Sequence, residues 1–217
     1  MAGRLAVIVG SALRGAELPR GDWALLQRHG EAAASVLPHR IDHIANLRAL
    51  ADAGCDRALA IGSVGGLRPE LGPGTLVCPD DFVALDAPPL TALEGAAAHR
   101  VPGFERDWRA TVVRAFAGSE PELVDGGVYW QASGPRLETP AEIRFVAAHA
   151  DVIGMTLASE AVVAGELDLR YAAVCMVDNY ANGVIHTELT LAEIETARER
   201  NRAVLDGALE RALPELA

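Results

Sequence analysis

Residues 133–142 have the sequence SGPRLETPAE, which combines a glycine-proline turn with the start of a helix. Thr139 is placed as the N-cap, Pro140 suits the first helical position, and Glu142 completes a capping box. Glu138 therefore falls on a turn just before the helix, where side chains commonly serve a binding site. The stretch predicts a helix from Pro140 onward and a candidate site carboxylate at Glu138.

Predicted helices and strands alternate on both sides of this stretch. Downstream, the pattern predicts helix 140–149, strand 151–154, helix 158–167, strand 171–177 and a last helix from Thr190 to near Leu213. Upstream, it predicts strands at 5–9, 58–61, 76–78, 82–85 and 127–132, and helices at 41–54 and 106–117. Such alternation is typical of an α/β fold with a mainly parallel central β-sheet flanked by helices. We expect one domain over residues 1–217, because no composition shift marks a boundary.

Composition and charge exclude several classes of function. The formal net charge of −11 argues against a nucleic-acid partner, because phosphate backbones are bound by clustered cations. The sequence contains no lysine, which excludes Schiff-base and P-loop lysine chemistry. The cysteines are isolated and no His, Cys and Asp residues have metal-site spacing, so we expect neither disulfide nor metal. Without a signal peptide or a run of roughly 20 apolar residues, we expect a cytoplasmic protein that does not bind a membrane.

The predicted strands end in short polar turns that suit an anion beside a flat base. Open α/β sheets bind ligands beyond the carboxyl ends of their strands. Glycine and hydroxyl residues occur together there, at 10–11, 62–66 and 154–156, and their N–H and O–H groups form an anion cradle without lysine. Arg28 adds a candidate guanidinium. A carboxylate at Glu138 and an amide at Asn179 suit a heterocycle with both donor and acceptor edges.

Several of these runs resemble a known family. The chain is similar to the trimeric purine nucleoside phosphorylases and 5′-methylthioadenosine phosphorylases, in particular to the 5′-methylthioinosine phosphorylase branch. The resemblance covers nearly the whole chain and is strongest over 128–198. The runs that carry it are GPRLET (134–139), VIGMT (152–156), ELDL (166–169), YA (171–172), VDN (177–179) and LAEIE (191–195). The resemblance implies a phosphorylase-like fold with a mixed, mostly parallel central sheet.

The resemblance also implies a reaction and roles for individual residues. In this family phosphate displaces a purine from C1′ of a nucleoside, which makes the enzyme a pentosyltransferase. Phosphate binding is implied for Ser11, Arg28, His29, Ser63 and Thr156. Substrate contacts are implied for Val64, Gly65, Met155, Leu191 and His186. Asn179 matches the amide that donates to N7 and O6 of a 6-oxopurine, and Glu138 matches the carboxylate that accepts from N1–H.

The chain departs from the family pattern at three places. Asp178 stands where relatives usually have Thr or Val, and in an alternative alignment this acid itself protonates N7, which would weaken the preference for 6-oxopurines. The segment between Ser11 and Arg28 is short, and so is the loop at 86–104 that would approach a neighbouring subunit. Apolar residues near Leu191 suit a 5′-methylthio group better than a bare hydroxyl.

The resulting expectation is phosphorolysis of a 5′-modified 6-oxopurine nucleoside in purine salvage. Inorganic phosphate is the co-substrate, no further cofactor is expected, and the family implies a homotrimer. Two alternatives remain open from the sequence. One is a nucleosidase that uses water and needs no phosphate, and the other is a degenerate family member that binds a nucleoside without turning it over.

Overall fold

A mixed β-sheet with helices on both faces forms the framework of the computed structural model, which describes residues 3–13, 18–30, 35–185 and 191–217. Within these ranges the strands are β1 (Arg4–Val9), β2 (Trp23–Gln27), β3 (Cys55–Gly66), β4 (Leu76–Cys78), β5 (Asp81–Val83), β6 (Leu123–Asp125), β7 (Val128–Gln131), β8 (Val152–Gly154) and β9 (Arg170–Tyr180). The α-helices are α1 (His43–Asp52), α2 (Arg106–Ala115), α3 (Pro140–Val146), α4 (Leu157–Glu166) and α5 (Leu191–Leu216).

Most strand pairs in the sheet are parallel. The order is β5-β7-β8-β3-β9-β4-β6, and β1 lies between β3 and β2. Among the described strands, β3 with β8 and β4 with β9 are the antiparallel pairs. The predicted α/β fold with a mixed, mostly parallel central sheet flanked by helices is therefore confirmed.

Alternation along the buried strands supplies a core on each face of the sheet. On β1, Leu5, Val7 and Val9 pack into one apolar cluster with residues of α2 and α5. Ala6 and Ile8 pack into a second cluster with residues of α1 and α4. Because successive side chains of a strand point to opposite faces, a continuous apolar run is what a strand covered on both sides requires.

Along one edge, β3 pairs with two different strands in succession, and the candidate site lies where the pairing changes. Its first half pairs with β1, up to Val9 opposite Ile61. Its end pairs with β8, which runs the other way and places Ile153 opposite Gly65. The carboxyl ends of β1 and β8 therefore face each other across the middle of β3, next to Ser63. The opposite edge of β3 is paired with β9 from Arg57 to Gly66.

Two strands are longer than the sequence predicts. Residues 62–66 were expected to be a turn, but they continue β3, and the pair 178–179 belongs to β9. The glycines permit close packing here rather than a turn, since a Cβ at Gly66 would overlap the carbonyl of Leu71. A register shift between β3 and β9 places Gly65 opposite Asn179 and leaves Asp178 without a partner position.

Two short strands were not predicted at all. Strand β2 has no regular alternation in its sequence and exists because it pairs with the edge of β1. Strand β6 has 3 residues and pairs with β4. Both are determined by tertiary pairing, which local pattern does not report. The predicted helices are all present, with ends displaced by a few residues.

Candidate active site

A cavity opens at the edge of β3 where the ends of β1 and β8 meet. Its empty space, including the open mouth, is about 760 Å³. Ten of the residues predicted from the sequence line it: Ser11, Arg28, His29, Ser63, Val64, Gly65, Glu138, Met155, Thr156 and Asn179. The structure thus brings together the carboxylate, the amide and the hydroxyl groups that the sequence placed on separate strand ends.

The cavity lining contains two groups of polar residues, and the first, here called the base end, consists of Glu138 and Asn179. Glu138 is half-buried on the turn before α3, and the predicted capping box is present, with Thr139 Oγ1 accepting from Glu142 N–H at 3.2 Å. Asn182 fixes this turn, because its Nδ2 donates to the Glu138 carbonyl at 2.8 Å. The Asn179 Nδ2 donates to the next carbonyl, that of Tyr180, at 2.9 Å.

A close contact brings the backbone of Gly134, on the segment that leads to Glu138, against the side chain of Met155, which follows β8. Gly134 has a φ of 61°, in the left-handed region that favours glycine. A Cβ at this position would overlap the sulfur of Met155. The glycine therefore permits both the turn and the contact across the cavity wall.

Burial raises the pKa of the Glu138 carboxyl above its ordinary value. The neighbouring Glu142 raises it further, whereas a backbone hydrogen bond and Arg136 act in the opposite direction. The proton affinity of this group is therefore set mainly by the apolar wall of the cavity. A carboxyl in this state accepts a hydrogen bond at neutral pH and takes up a proton more readily than an exposed glutamate.

The second group, here called the anion end, contains the hydroxyl groups of Ser11, Ser63 and Thr156. His29 also lies here, with Nδ1 2.8 Å from the carbonyl oxygen of Val36. A carbonyl only accepts, so this nitrogen carries a proton. Ser11 begins a short 3₁₀ turn directly after β1, and Thr156 precedes α4 directly after β8. The hydroxyls of Ser11 and Thr156 are candidates for hydrogen bonds to an oxyanion, whereas the Ser63 hydroxyl donates to Asp178.

Arg28 is held deep in the wall of the anion end and is 3% exposed. Its Nε and Nη2 donate to the two carboxylate oxygens of Glu160 at 2.5 and 2.8 Å, and its Nη1 donates to the Ile61 carbonyl at 3.0 Å. Tyr171 Oη adds a hydrogen bond to Glu160 at 2.7 Å. Gly10 makes room for this network, since a Cβ there would overlap Arg28 Nη1.

The charges of this buried pair stabilise each other. Burial alone would raise the pKa of the Glu160 carboxyl, but Arg28 and the hydrogen bonds keep it below its ordinary value. Burial alone would lower the pKa of Arg28, and Glu160 raises it above its ordinary value. Arg28 was expected to offer a guanidinium fork to the anion, whereas its fork is already occupied by a carboxylate. The positive charge of Arg28 that acts on the cavity is therefore largely compensated by Glu160.

The first amide groups of α4 also have protein acceptors. The N–H groups of Thr156 and Leu157 donate to Tyr129 Oη at 3.1 and 3.3 Å. The N–H of Ser159 donates to the side chain of Gln131 at 3.0 Å. The expected cradle of main-chain amides is therefore not open at this turn. Thr156 offers its hydroxyl instead, which makes no capping hydrogen bond to the helix.

Asp178 is not among the residues that line the cavity and is 1% exposed. Its carboxylate accepts hydrogen bonds from Ser63 Oγ and from Asn201 Nδ2, the latter at 3.1 Å. Burial raises the pKa of this carboxyl, while these hydrogen bonds and Arg198 act in the opposite direction. The alternative in which Asp178 itself meets a base is not favoured by this placement, because its oxygens are directed to protein donors.

Comparisons with known proteins agree with the geometry. A family model described as "Phosphorylase superfamily" matches residues 9–214. The "Probable 6-oxopurine nucleoside phosphorylase" of Archaeoglobus fulgidus is 41% identical over 186 residues, which is 85% of this chain and 76% of that protein. This chain belongs to the phosphorylase superfamily.

One further relative and one solved structure are also similar to this chain. The "Probable S-methyl-5'-thioinosine phosphorylase" of Pseudomonas syringae pv. tomato is 35% identical over 91% of this chain and 85% of that protein. A structure of the methylthioadenosine phosphorylase from Schistosoma mansoni with adenine superposes with a TM-score of 0.84, covering 98% of this chain and 91% of that chain. At 21% identity, the second comparison shows the fold, which is phosphorylase-like as the resemblance implied.

Besides Asp178, two predicted site residues of this phosphorylase-superfamily chain are not among the described lining residues. His186 lies outside the described residues. Leu191 is the first residue of α5, but its side chain is not among those described. Within the described ranges, no group of three or more His, Cys, Asp and Glu side chains is arranged to hold a metal ion. No described helix combines the length and the apolar character that a membrane crossing requires.

Sequence reasoning missed several residues that shape the site. Asn182 and Arg198 line the cavity, and Glu160 holds Arg28 from behind it. Asn182 carried a usable signal, because it follows Asn179 by three residues at a strand end. Arg198 lies on α5, far along the chain from the strand ends, and only the packing of that helix brings it to Ser63.

Proposed function

We propose that this protein catalyses the phosphorolysis of 6-oxopurine nucleosides, giving a free purine base and a sugar 1-phosphate. The observation that carries the proposal is that Glu138 and Asn179 share one cavity with the hydroxyls of Ser11, Ser63 and Thr156. Relatives at 35–41% identity bear the names of phosphorylases for 6-oxopurine nucleosides and S-methyl-5'-thioinosine, which supports the same reaction.

The base end suits a leaving 6-oxopurine. As the C1′–N9 bond breaks, its electron pair passes to the purine, which gains negative charge. The Asn179 amide donates a hydrogen bond to the N7/O6 edge, and the Glu138 carboxylate accepts one from N1–H. An adenine ring has no N1–H, so it leaves the carboxylate without a donor. Mismatched buried polar groups of this kind cost about 1–3 kcal/mol each.

The anion end suits the attacking phosphate. A phosphate oxygen forms the new bond to C1′, on the face opposite the departing purine, through a transition state similar to an oxocarbenium ion. The Ser11 and Thr156 hydroxyls donate to the phosphate, whereas the proton of the Ser63 hydroxyl is directed to Asp178. The anion stabilises the developing positive charge of the sugar. Holding both reactants in one cavity also removes much of the entropic barrier of a bimolecular step. Inorganic phosphate is the co-substrate, and the proposal requires no cofactor.

A modified 5′ position is favoured by apolar groups in the same cavity. Met155 and the buried Ile194 both line it. Contact of an alkylthio group with such side chains removes apolar surface from water, which favours binding. We therefore place 5′-methylthioinosine ahead of inosine among the candidate substrates. The roles implied for Leu191 and His186 at this position remain part of the proposal.

Assembly and cellular setting are finer parts of the same proposal. We propose a homotrimer acting in the cytoplasm in purine salvage, following the family resemblance. Light scattering coupled to size-exclusion chromatography checks the trimer directly. A monomeric mass in a preparation with full activity would contradict the proposed assembly and leave the proposed reaction intact.

The reaction is tested by assaying inosine, 5′-methylthioinosine, adenosine and 5′-methylthioadenosine with and without inorganic phosphate. Release of hypoxanthine that depends on phosphate and yields a sugar 1-phosphate is the expected result. Equal release without phosphate would identify a nucleosidase instead. Nucleoside binding without release of base would identify a non-catalytic binding protein. Faster turnover of the 6-amino nucleosides would contradict the proposed base preference.

A further inference from the structure

A second arginine reaches the anion end from the last helix. Arg198 on α5 lines the cavity, with Nε 3.3 Å from Ser63 Oγ and 3.5 Å from a carboxylate oxygen of Asp178. Its side chain is 33% exposed, whereas that of Asp178 is fully buried. The guanidinium therefore lies between a buried acid and the open space of the cavity.

Asp178 is held firmly enough to position Arg198. One oxygen accepts from Asn201 Nδ2 at 3.1 Å, and the other accepts from Ser63 Oγ. Asn201 is itself fixed, because Nδ2 also lies 3.2 Å from the Val177 carbonyl, to which it donates. The acid that departs from the usual family pattern thus has a partner on another element, and the two residues form one unit.

The two cavity-lining arginines differ in the donors that they leave open. Nε, Nη1 and Nη2 of Arg28 all donate to protein oxygens. Among the described residues, Nε of Arg198 donates to Ser63 Oγ, and no hydrogen bond from either Nη group is found. The N–H groups of Thr156 and Leu157 are occupied as well. Arg198 is therefore the described lining arginine with a pair of donors for an incoming anion.

On the basis of the phosphorolysis proposed above, we propose that Arg198 binds the co-substrate phosphate through its Nη groups, beside Ser63, and that Asp178 positions it. A guanidinium matches a phosphate with two parallel charge-assisted hydrogen bonds. The Nε of Arg198 lies 3.5 Å from the Asp178 carboxylate, farther than the 2.5 and 2.8 Å of the bidentate pairing between Arg28 and Glu160. Ser63 connects Asp178 to Arg198, because its hydroxyl donates to Asp178 and accepts from Arg198 Nε.

The first test measures the binding of inorganic phosphate by calorimetry, which requires no turnover. Arg198→Gln is expected to raise the Kd for phosphate at least tenfold, equivalent to about 1.4 kcal/mol. Arg200→Gln is the matched control, because it makes the same charge change on an exposed position of α5 and is expected to alter the Kd less than twofold. Equal effects of the two variants would overturn the inference, and so would a wild-type protein that binds no phosphate at millimolar concentration.

Folding is checked by thermal melts of each variant. If Arg198→Gln does not fold, Arg198→Lys decides the matter, since lysine keeps the charge but loses the two parallel donors. We expect Arg198→Lys to weaken phosphate binding at least threefold and Arg200→Lys to leave it within twofold. Phosphate binding by Arg198→Lys that is equal to that of Arg200→Lys would overturn the inference.

The second test separates contact with phosphate from contact with the nucleoside. In steady-state assays, Arg198→Gln and the positioning variant Asp178→Asn are both expected to raise the KM for phosphate, by at least tenfold and threefold. The KM for the nucleoside at saturating phosphate should change less than twofold. A raised nucleoside KM with unchanged phosphate KM would overturn the proposed contact, and a lowered phosphate KM in Asp178→Asn would overturn the positioning role.

The two proposals fail in different ways. A wild-type protein that binds phosphate through Arg198 but releases no base contradicts the proposed function and supports this inference. A protein that carries out phosphorolysis with an unaltered phosphate Kd in Arg198→Gln supports the function and contradicts the inference.

Discussion

The two ends of the cavity are built in different ways. At the anion end, Arg28, Glu160 and Tyr171 form a hydrogen-bonded group almost without solvent exposure, embedded in the sheet and in α4. At the base end, Glu138 and Asn179 are half-buried, on a turn and at the end of a strand. The comparison shows that the buried group of the anion end is part of the protein core, whereas the base end lies at the surface of that core. Substitutions in the Arg28, Glu160 and Tyr171 group should cost stability, and substitutions at Glu138 and Asn179 should cost specificity and rate.

The largest expected effect comes from breaking the buried ion pair with Glu160→Gln. It leaves the Arg28 charge uncompensated, and breaking a buried pair in this way typically costs about 3–5 kcal/mol. We expect the free energy of unfolding, measured by urea denaturation, to fall by about that amount. Glu199→Gln, at an exposed position on α5, is the control and should change it by less than about 0.5 kcal/mol. Equal stability of the two variants would remove the distinction between the two ends.

The second effect concerns Glu138→Gln and should appear in kinetics rather than in stability. Loss of a charged acceptor for N1–H costs about 1.5–3 kcal/mol, so kcat/KM for a 6-oxopurine nucleoside should fall by roughly 10–150-fold. The melting temperature should not fall, because burial disfavours the charged form of this carboxyl in the folded protein. A destabilised Glu138→Gln protein with normal kcat/KM would reverse the assignment of this residue.

A smaller effect is expected for Asn179→Asp, which exchanges the hydrogen-bonding pattern presented to the base. A protonated aspartic acid donates to N7 and accepts from a 6-amino group. The ratio of kcat/KM for 6-amino over 6-oxo nucleosides should therefore rise by roughly 5–100-fold, in keeping with about 1–3 kcal/mol for one mismatched polar contact. An unchanged ratio, measured in competition assays, would show that another group chooses the base.

The smallest effect is a pH dependence with opposite signs in activity and stability. The pKa of Glu138 is raised above its ordinary 4.5, and the ionised form is the acceptor for N1–H, so kcat/KM falls as the pH drops through the raised value. The same group favours the folded state at low pH, and this contribution is lost as the pH rises from the unfolded pKa through the folded pKa. Relative to wild type, Glu138→Gln should therefore gain stability as the pH rises across this window. Urea denaturation at a series of pH values would contradict the assignment if the difference shrank instead.

The sequence predicted the parts of the fold and site that depend on local pattern. The apolar run of β1, the capping box at Thr139 and the position of Glu138 on the turn before α3 all have local causes, and each is present. Arg28 with Glu160 and Asp178 with Arg198 join residues 132 and 20 positions apart. No local rule specifies which buried charges will meet, so these pairs were not predicted. The extension of β3 through its glycines was missed for the same reason, because its partner β9 lies far along the chain.

The hydrogen bond from Asn182 to the backbone of Glu138 has a consequence for how a purine is admitted. This bond links the turn that contains Glu138 to the segment that contains both Asn179 and Asn182. The distance between acceptor and donor is thereby set before any ligand arrives, and the loss of loop entropy occurs during folding rather than during binding. A heterocycle whose donor and acceptor edges match this fixed spacing binds without rearrangement of the turn. For a heterocycle of another width, the turn does not adjust to restore the two hydrogen bonds.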